Sequence, residues 1–179
     1  PVRDTYEEHG YIFDPMPPYQ IIESNYLSKE ELASIVLLEN ALEIYWNKKR
    51  AIHTLKYVTE RYAIFDFLCG LGEYFGRHVD FHQHTLADIY RILNEYATAL
   101  YPDDKILMQL IMIDYCLYPK IKPSTRLLQD ADKSLQWQII DEWQLDHHRY
   151  RYIMLPIDFQ YRAFIRDLSI INEPDLLVI

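Results

Sequence analysis

Cysteine, glycine and basic charge are all scarce in this chain. Of its 179 residues two are cysteine, Cys69 and Cys116, far apart and each without a second cysteine at ligand spacing. No disulfide framework, zinc site or iron–sulfur ligand set can be proposed from them, and a reducing, cytoplasmic setting is expected. Four glycines, Gly10, Gly70, Gly72 and Gly76, are too few for a phosphate-cradling loop or a succession of tight hairpins. Lys and Arg number 18 against 27 Asp and Glu, a formal charge of −9. That balance opposes any partner held through phosphate neutralisation, so neither nucleic acid nor an anionic membrane surface is expected. No uninterrupted apolar run approaches the roughly 20 residues of a membrane span.

What is abundant is tyrosine, 16 residues in a chain that is otherwise 50% hydrophobic and 25% charged, close to globular averages. The length suits one domain, or one domain with a small appendage. Tyrosine offers a large apolar body with a polar tip, suited to half-buried and contact surfaces. Tyr6, Tyr11, Tyr19 and Tyr26 cluster near the N-terminus, while Tyr90 and Tyr96 fall on a helical pattern, where they either belong to a docking face or complete the helix packing.

The organisation read from periodicity is mainly α, a bundle-like multi-helix domain with an extended Pro-rich N-terminal arm and a small C-terminal antiparallel β element. Residues 1–25 form the arm, because Pro15, Pro17 and Pro18 forbid a regular helix. Residues 26–146 form the helical domain. Ser28 with Glu31 makes a capping box for a helix to about Asn47, with Leu32, Ile35, Val36, Leu38, Leu42, Tyr45 and Trp46 at helical spacing. Further helices are predicted over Ile52–Tyr62, over Asp66–Arg77, from a Thr85 cap to Leu100, from Asp103 or Asp104 to before Pro119, and over Asp132–Asp146 after the basic hinge Lys120–Pro123. The glycines of the Asp66–Arg77 helix read as sites of close helix packing. Residues 147–179 form an appendage packed on the helices, with strands over Arg149–Leu155 and Asp175–Ile179.

The densest group of metal-capable side chains is His78, Asp80, His82 and His84, with His78 and His82 at i, i+4. It lies between two helices, so a solvated loop is the alternative to a metal site. Asp146-His147-His148 reads as an exposed turn before a strand, and His53 as a polar-face or satisfied core histidine. The alternating Arg149-Tyr150-Arg151-Tyr152 reads as a polar strand edge. No nucleophile elbow, phosphate loop or His-Glu-x-x-His helix is present, so no catalytic machine assembles from local sequence.

The stretch Tyr6-Glu7-Glu8-His9-Gly10-Tyr11-Ile12-Phe13-Asp14-Pro15-Met16-Pro17-Pro18-Tyr19-Gln20-Ile21-Ile22-Glu23-Ser24, with Tyr26-Leu27-Ser28-Lys29-Glu30-Glu31-Leu32 and Leu38-Glu39-Asn40-Ala41-Leu42-Glu43-Ile44-Tyr45-Trp46-Asn47, resembles the C-terminal region of bacterial cobalamin-binding radical-SAM proteins. These iron–sulfur oxidoreductases include relatives of the anaerobic magnesium-protoporphyrin IX monomethyl ester cyclase. The resemblance covers roughly the first 60 residues and is architectural beyond. It implies an N-terminal cobalamin domain and a radical-SAM barrel preceding a helical C-terminal domain of unknown function, with Pro1-Val2-Arg3-Asp4 ending the barrel segment. A start at Pro1 rather than Met accords with a piece of a longer protein. The 4Fe-4S cluster, S-adenosylmethionine and cobalamin would then belong to upstream domains, since the family's Cys-x-x-x-Cys-x-x-Cys set has no counterpart here. Asp80-Phe81-His82-Gln83-His84-Thr85 likewise departs from the cobalamin signature Asp-x-His-x-x-Gly at Thr85. The partner implied is the barrel of the same polypeptide, with Tyr11, Phe13, Tyr19 and Ile21 as docking residues. Other expectations are a free-standing helical interaction module and a small metal-dependent enzyme using His78, His82 and His84.

Overall fold

A computed structural model describes residues 5–118 and 132–179; the segment Pro1–Asp4, the stop at Pro119 and the hinge Lys120–Pro123 lie outside the described residues. The fold begins with a helical turn that was not foreseen, α1 (Tyr6–His9). Gly10 ends it in the left-handed region (φ 61°), and the amides of Gly10 and Tyr11 return to the carbonyls of Glu7 and Tyr6. The Pro-rich arm is extended, and its two extended runs fold back on each other: β1 (Ile12–Phe13) pairs antiparallel with β2 (Ile21–Glu23). The prolines fall in the connecting turn, which contains a cis Pro17–Pro18 bond. Backbone bonds Asp14 N–H to Gln20 O (2.8 Å) and Tyr19 N–H to Met16 O (2.9 Å) close that turn.

Ser28 caps α2 (Lys29–Ala41) as its sequence requires: its hydroxyl accepts from Glu31 N–H (3.2 Å) and Glu31 Oε2 accepts from Ser28 N–H (2.8 Å). Such a cap is worth about 1 kcal/mol. The helix runs on into a π-helical stretch, Leu42–Asn47, that buries Ile44 and Tyr45. Lys49 then turns left-handed (φ 54°), and Arg50 N–H and Lys49 N–H reach back to Tyr45 O and Trp46 O. Next come α3 (Ile52–Arg61), α4 (Ile64–His78), α5 (Leu86–Leu100) and α6 (Lys105–Leu117). Thr85 and Asp88 form a second capping box, and Asp104 Oδ1 accepts Leu107 N–H (3.0 Å) at the start of α6. The main contacts are α2 on α4 and α3 on α6, with α5 against both α4 and α6. Ile89, Leu93 and Ala97 of α5 are fully buried between these layers.

Two features of composition resolve here. Gly72 is a close-approach residue: a Cβ there would stand 2.2 Å from the backbone oxygen of Leu37, so α2 and α4 meet backbone to helix face. Many of the tyrosines are core residues with satisfied tips. Tyr45 donates to Ile89 O (2.9 Å) and Tyr90 to Arg50 O (2.8 Å), while Tyr57 and Tyr62 both donate to Asp104, Tyr62 at 2.5 Å. Each hydroxyl thereby finds an acceptor despite the burial of its ring.

The C-terminal third departs more from expectation. α7 (Lys133–Glu142) is shorter than 132–146, ended by left-handed Gln144 (φ 51°) with Leu145 N–H on Ile140 O (2.9 Å). The Arg149–Tyr152 alternation does not form a strand. Asp146 Oδ1 accepts the amides of His148 (3.2 Å) and Arg149 (3.0 Å), a side-chain turn that outcompetes extension. Pairing starts only at the continuous apolar run, β3 (Met154–Ile157), followed by α8 (Tyr161–Asp167) and β4 (Asp175–Val178), which is antiparallel to β3. Leu155, Ile157, Phe159 and Phe164 complete the main core, and Met154 packs with Ile139 of α7 in a second cluster. No described helix is long and apolar enough to cross a membrane.

Gly72→Ala is expected to destabilise by about 1–3 kcal/mol, read from urea unfolding, because the obstacle is backbone. Gly76→Ala, which meets only the Phe81 ring rim at 3.0 Å, should stay within about 1 kcal/mol of wild type. Burial pushes Tyr57 and Tyr96 up to about 12, helped by the charge of Asp104 and by Tyr101 respectively, and raises Tyr45, Tyr62 and Tyr90 as well. The folded chain thus keeps protons that unfolded tyrosines release near pH 10. Their contribution is whole below that pH and is lost as pH rises toward 12, so phenolate absorbance and loss of helical circular dichroism should rise together across that window.

Candidate functional site

The contacts of the histidine-rich segment are local. His78 ends α4 with its ring stacked on Tyr74 (4.2 Å between centroids) and Nδ1 2.7 Å from Tyr74 O. Asp80 turns inward on its own loop, its Oδ1 accepting His82 N–H (2.7 Å). His84 sets its ring edge-on to Phe75 (5.3 Å), with Nδ1 3.4 Å from Asp80 O. Among the described residues, no three His, Cys, Asp or Glu side chains gather where they could hold a metal ion. At Asp146-His147-His148 the turn, rather than an extended strand, brings the two imidazoles side by side at 4.0 Å, with His147 edge-on to Trp137 (5.3 Å).

The four docking candidates share the N-terminal hairpin. Tyr11 and Phe13 meet edge to face at 6.4 Å, and Tyr11 leans on His9 (5.3 Å). His9 Nδ1 lies 3.1 Å from the Tyr26 hydroxyl, tying α1 to the approach of α2. Tyr11, Phe13 and Ile21 are half-buried, whereas Tyr19 is 51% exposed at the turn beside Met16, 68% exposed. Tyr6, Ile12 and Tyr26 are exposed on the same segment. These exposed hydrophobic side chains all fall within about twenty residues of sequence around the hairpin.

A third constellation was not foreseen. Helix α3 starts at Ile52 behind Ala51, which has no side chain able to cap it. Asp114, projecting from the middle of α6 and 5% exposed, does so across the interface. Its Oδ1 accepts His53 N–H (3.2 Å) and His53 Nδ1–H (2.7 Å); its Oδ2 accepts Thr54 N–H (2.8 Å) and Thr54 Oγ1–H (2.7 Å). With Nδ1 donating, His53 Nε2 is left to accept from Tyr161 Oη at 3.1 Å, which joins α8 to the helices. On the other side, Tyr90 Oη bonds Arg50 O (2.8 Å) and Asp114 O (3.2 Å). A cleft of about 260 Å³ opens on this node, lined by Lys48, Lys49, Ile52, His53, Asp114, Leu117 and Tyr118.

The chemistry of the node is that of a brace. Four donors fill both carboxylate oxygens of Asp114, leaving neither placed to take a proton from a substrate. Burial, with the Asp114 charge adding to it, raises the Tyr161 phenol above its ordinary value, which holds it protonated as a hydrogen-bond donor. The sequence did hold a signal for this arrangement: an aspartate inside the apolar run Leu110-Ile111-Met112-Ile113-Asp114-Tyr115, and a helix start without a capping residue at Ala51.

The fold and these surfaces define a mainly helical domain with an aromatic hairpin and a small C-terminal sheet. The chain belongs to the family described as protein of unknown function (DUF4080), whose model matches residues 7–170. No curated protein and no solved structure matches it.

Asp114→Ala is expected to remove about 3 kcal/mol or more of stability, since it strips the α3 cap and leaves four donors unmet. Tyr161→Phe should remove only about 1 kcal/mol. Urea unfolding of the two variants checks the ratio.

Proposed function

We propose that this chain is a non-catalytic accessory domain of a cobalamin-dependent radical-SAM iron–sulfur enzyme, cyclase-like or methyltransferase-like, which docks on and completes the catalytic barrel of the same polypeptide. The observation that carries this reading is the N-terminal hairpin. The segment with the densest resemblance, Tyr6 to Ser24, is the one that folds into a hairpin and turns Ile12, Met16 and Tyr19 outward. A barrel surface seated on it would remove those side chains from water, at about 25 cal/mol for each Å² buried.

The residues of this chain do not fit the cluster that the reading implies. An iron–sulfur cluster of that family takes three thiolates; Cys69 and Cys116 are two, on α4 and α6, and Cys69 Sγ–H is engaged with Ser34 O at 3.6 Å. Burial raises the Cys69 thiol, which disfavours the thiolate that a metal would need. The cluster, S-adenosylmethionine and cobalamin therefore belong to other parts of the polypeptide in this reading, and no step of chemistry is assigned to the residues described above.

The reading frame that carries this chain is expected to encode a Cys-x-x-x-Cys-x-x-Cys motif upstream; its absence would overturn the assignment. Within that full polypeptide, the double variant Met16→Ser, Tyr19→Ser should leave the melting of the helical domain unchanged. It should also speed hydrogen exchange in the barrel peptides beneath the hairpin, and identical exchange in variant and wild type would refute docking through this surface.

A further inference from the structure

The C-terminal sheet has two strands, and the register shows which backbone groups it leaves over. Ile153 and Ile179 exchange both of their backbone bonds, each 2.9 Å. The alternation of an antiparallel ladder then makes Leu155–Leu177 and Ile157–Asp175 the bonded pairs. Met154, Pro156, Leu176 and Val178 point their backbone groups away from the partner strand. Proline is tolerated at 156 for that reason: its missing N–H would have faced outward. On β4 the outward N–H of Leu176 is already taken by Asp175 Oδ1 (2.8 Å). Among the described residues, the N–H of Val178 and the carbonyls of Leu176 and Val178 have no backbone partner.

Both faces of β4 are covered. Leu177 and Ile179 pack on the main core, and Leu176 and Val178 pack on the Ile139–Met154 cluster beneath α7. The unfilled direction is the edge, and along it runs a cleft of about 430 Å³ walled by Trp143 at the end of α7 and by Tyr161 and Arg162 at the start of α8. The indole of Trp143 is 53% exposed, and Arg162 forms no ion pair among the described residues. The carboxylate of Asp175 in the same cleft accepts Tyr161 N–H (3.3 Å) as well as Leu176 N–H, which leaves the Arg162 guanidinium as the charged group of the cleft without a partner among the described residues.

We propose that the β4 edge is a binding site for an extended peptide segment, which adds a third strand to the sheet. A donor and two acceptors repeating every second residue along one line are matched by another extended backbone, and by no compact small molecule. In this site the peptide's main chain bonds Leu176 and Val178, an apolar side chain lies against the Trp143 indole, and an acidic side chain pairs with Arg162. A lone strand enters a walled cleft, whereas a second copy of this chain would bring its own walls against these. The proposal concerns residues of this chain alone and holds whether or not the accessory-domain reading does.

The test is fluorescence anisotropy with labelled hexapeptides from a pool that alternates apolar residues with glutamate or threonine. Saturable binding is expected for members of the pool. It should weaken about tenfold or more when alternate peptide amides are N-methylated, and to a similar degree when the chain carries Val178→Pro. That substitution mimics Pro156 on the opposite strand, removing an outward donor and altering the side chain that packs on the Ile139–Met154 cluster; thermal melting reports whether it folds, and the N-methylated peptides test the same bonds on the unaltered chain. Binding that N-methylation leaves unchanged, or no saturable binding from any pool member, would overturn the proposal. Dimerisation through β4 in place of peptide binding would overturn it as well.

Discussion

The carboxylate of Asp114 is the point on which the rest of the architecture depends. One side chain from α6 supplies the cap that the sequence around Ala51 cannot supply to α3, and through His53 it orients the group that receives Tyr161 from α8. Three segments separated by dozens of residues are thereby brought to one buried charge. Such a charge is tolerated in the interior because every lone-pair direction is occupied, and the same saturation keeps it from acting as a base.

Tyrosine works by the same economy elsewhere in the molecule. Tyr45, Tyr57 and Tyr90 bury their rings and Tyr62 packs half-buried beside them, while each hydroxyl donates to a carbonyl or to the Asp104 carboxylate. The four N-terminal tyrosines belong to a different population. Tyr11 is half-buried within its hairpin, whereas Tyr6, Tyr19 and Tyr26 remain outside. The tyrosine excess is therefore two features, a hydrogen-bonded interior set and an exposed N-terminal set, which composition alone merges.

The surfaces that remain available are placed by backbone geometry more than by side-chain motif. Three prolines occupy the turn of the hairpin, and among the described residues the C-terminal sheet stops at two strands. Neither carries the signature of a reaction. The family the chain belongs to is one of unknown function, and the chain's two cysteines are too few for a three-thiolate cluster.

Much of the fold was legible locally. Ser28 with Glu31, Thr85 and Asp104 announced three helix starts, because capping is a contact between residues three apart and needs no tertiary partner. The apolar runs at Met154 and Asp175 likewise announced two strands. Arg149–Tyr152 misled because alternation describes a strand only where no nearby side chain competes for its amides, and Asp146 does. Sequence by itself thus determined where the capped helices begin, which residues are apolar enough to pair, and that this chain lacks three cysteines for a cluster. Only tertiary structure decided that Asp114 caps α3, that Gly72 lies against Leu37, and which tyrosines are core. Those facts depend on groups distant in sequence meeting within a few ångströms, and local spacing carries no record of such meetings.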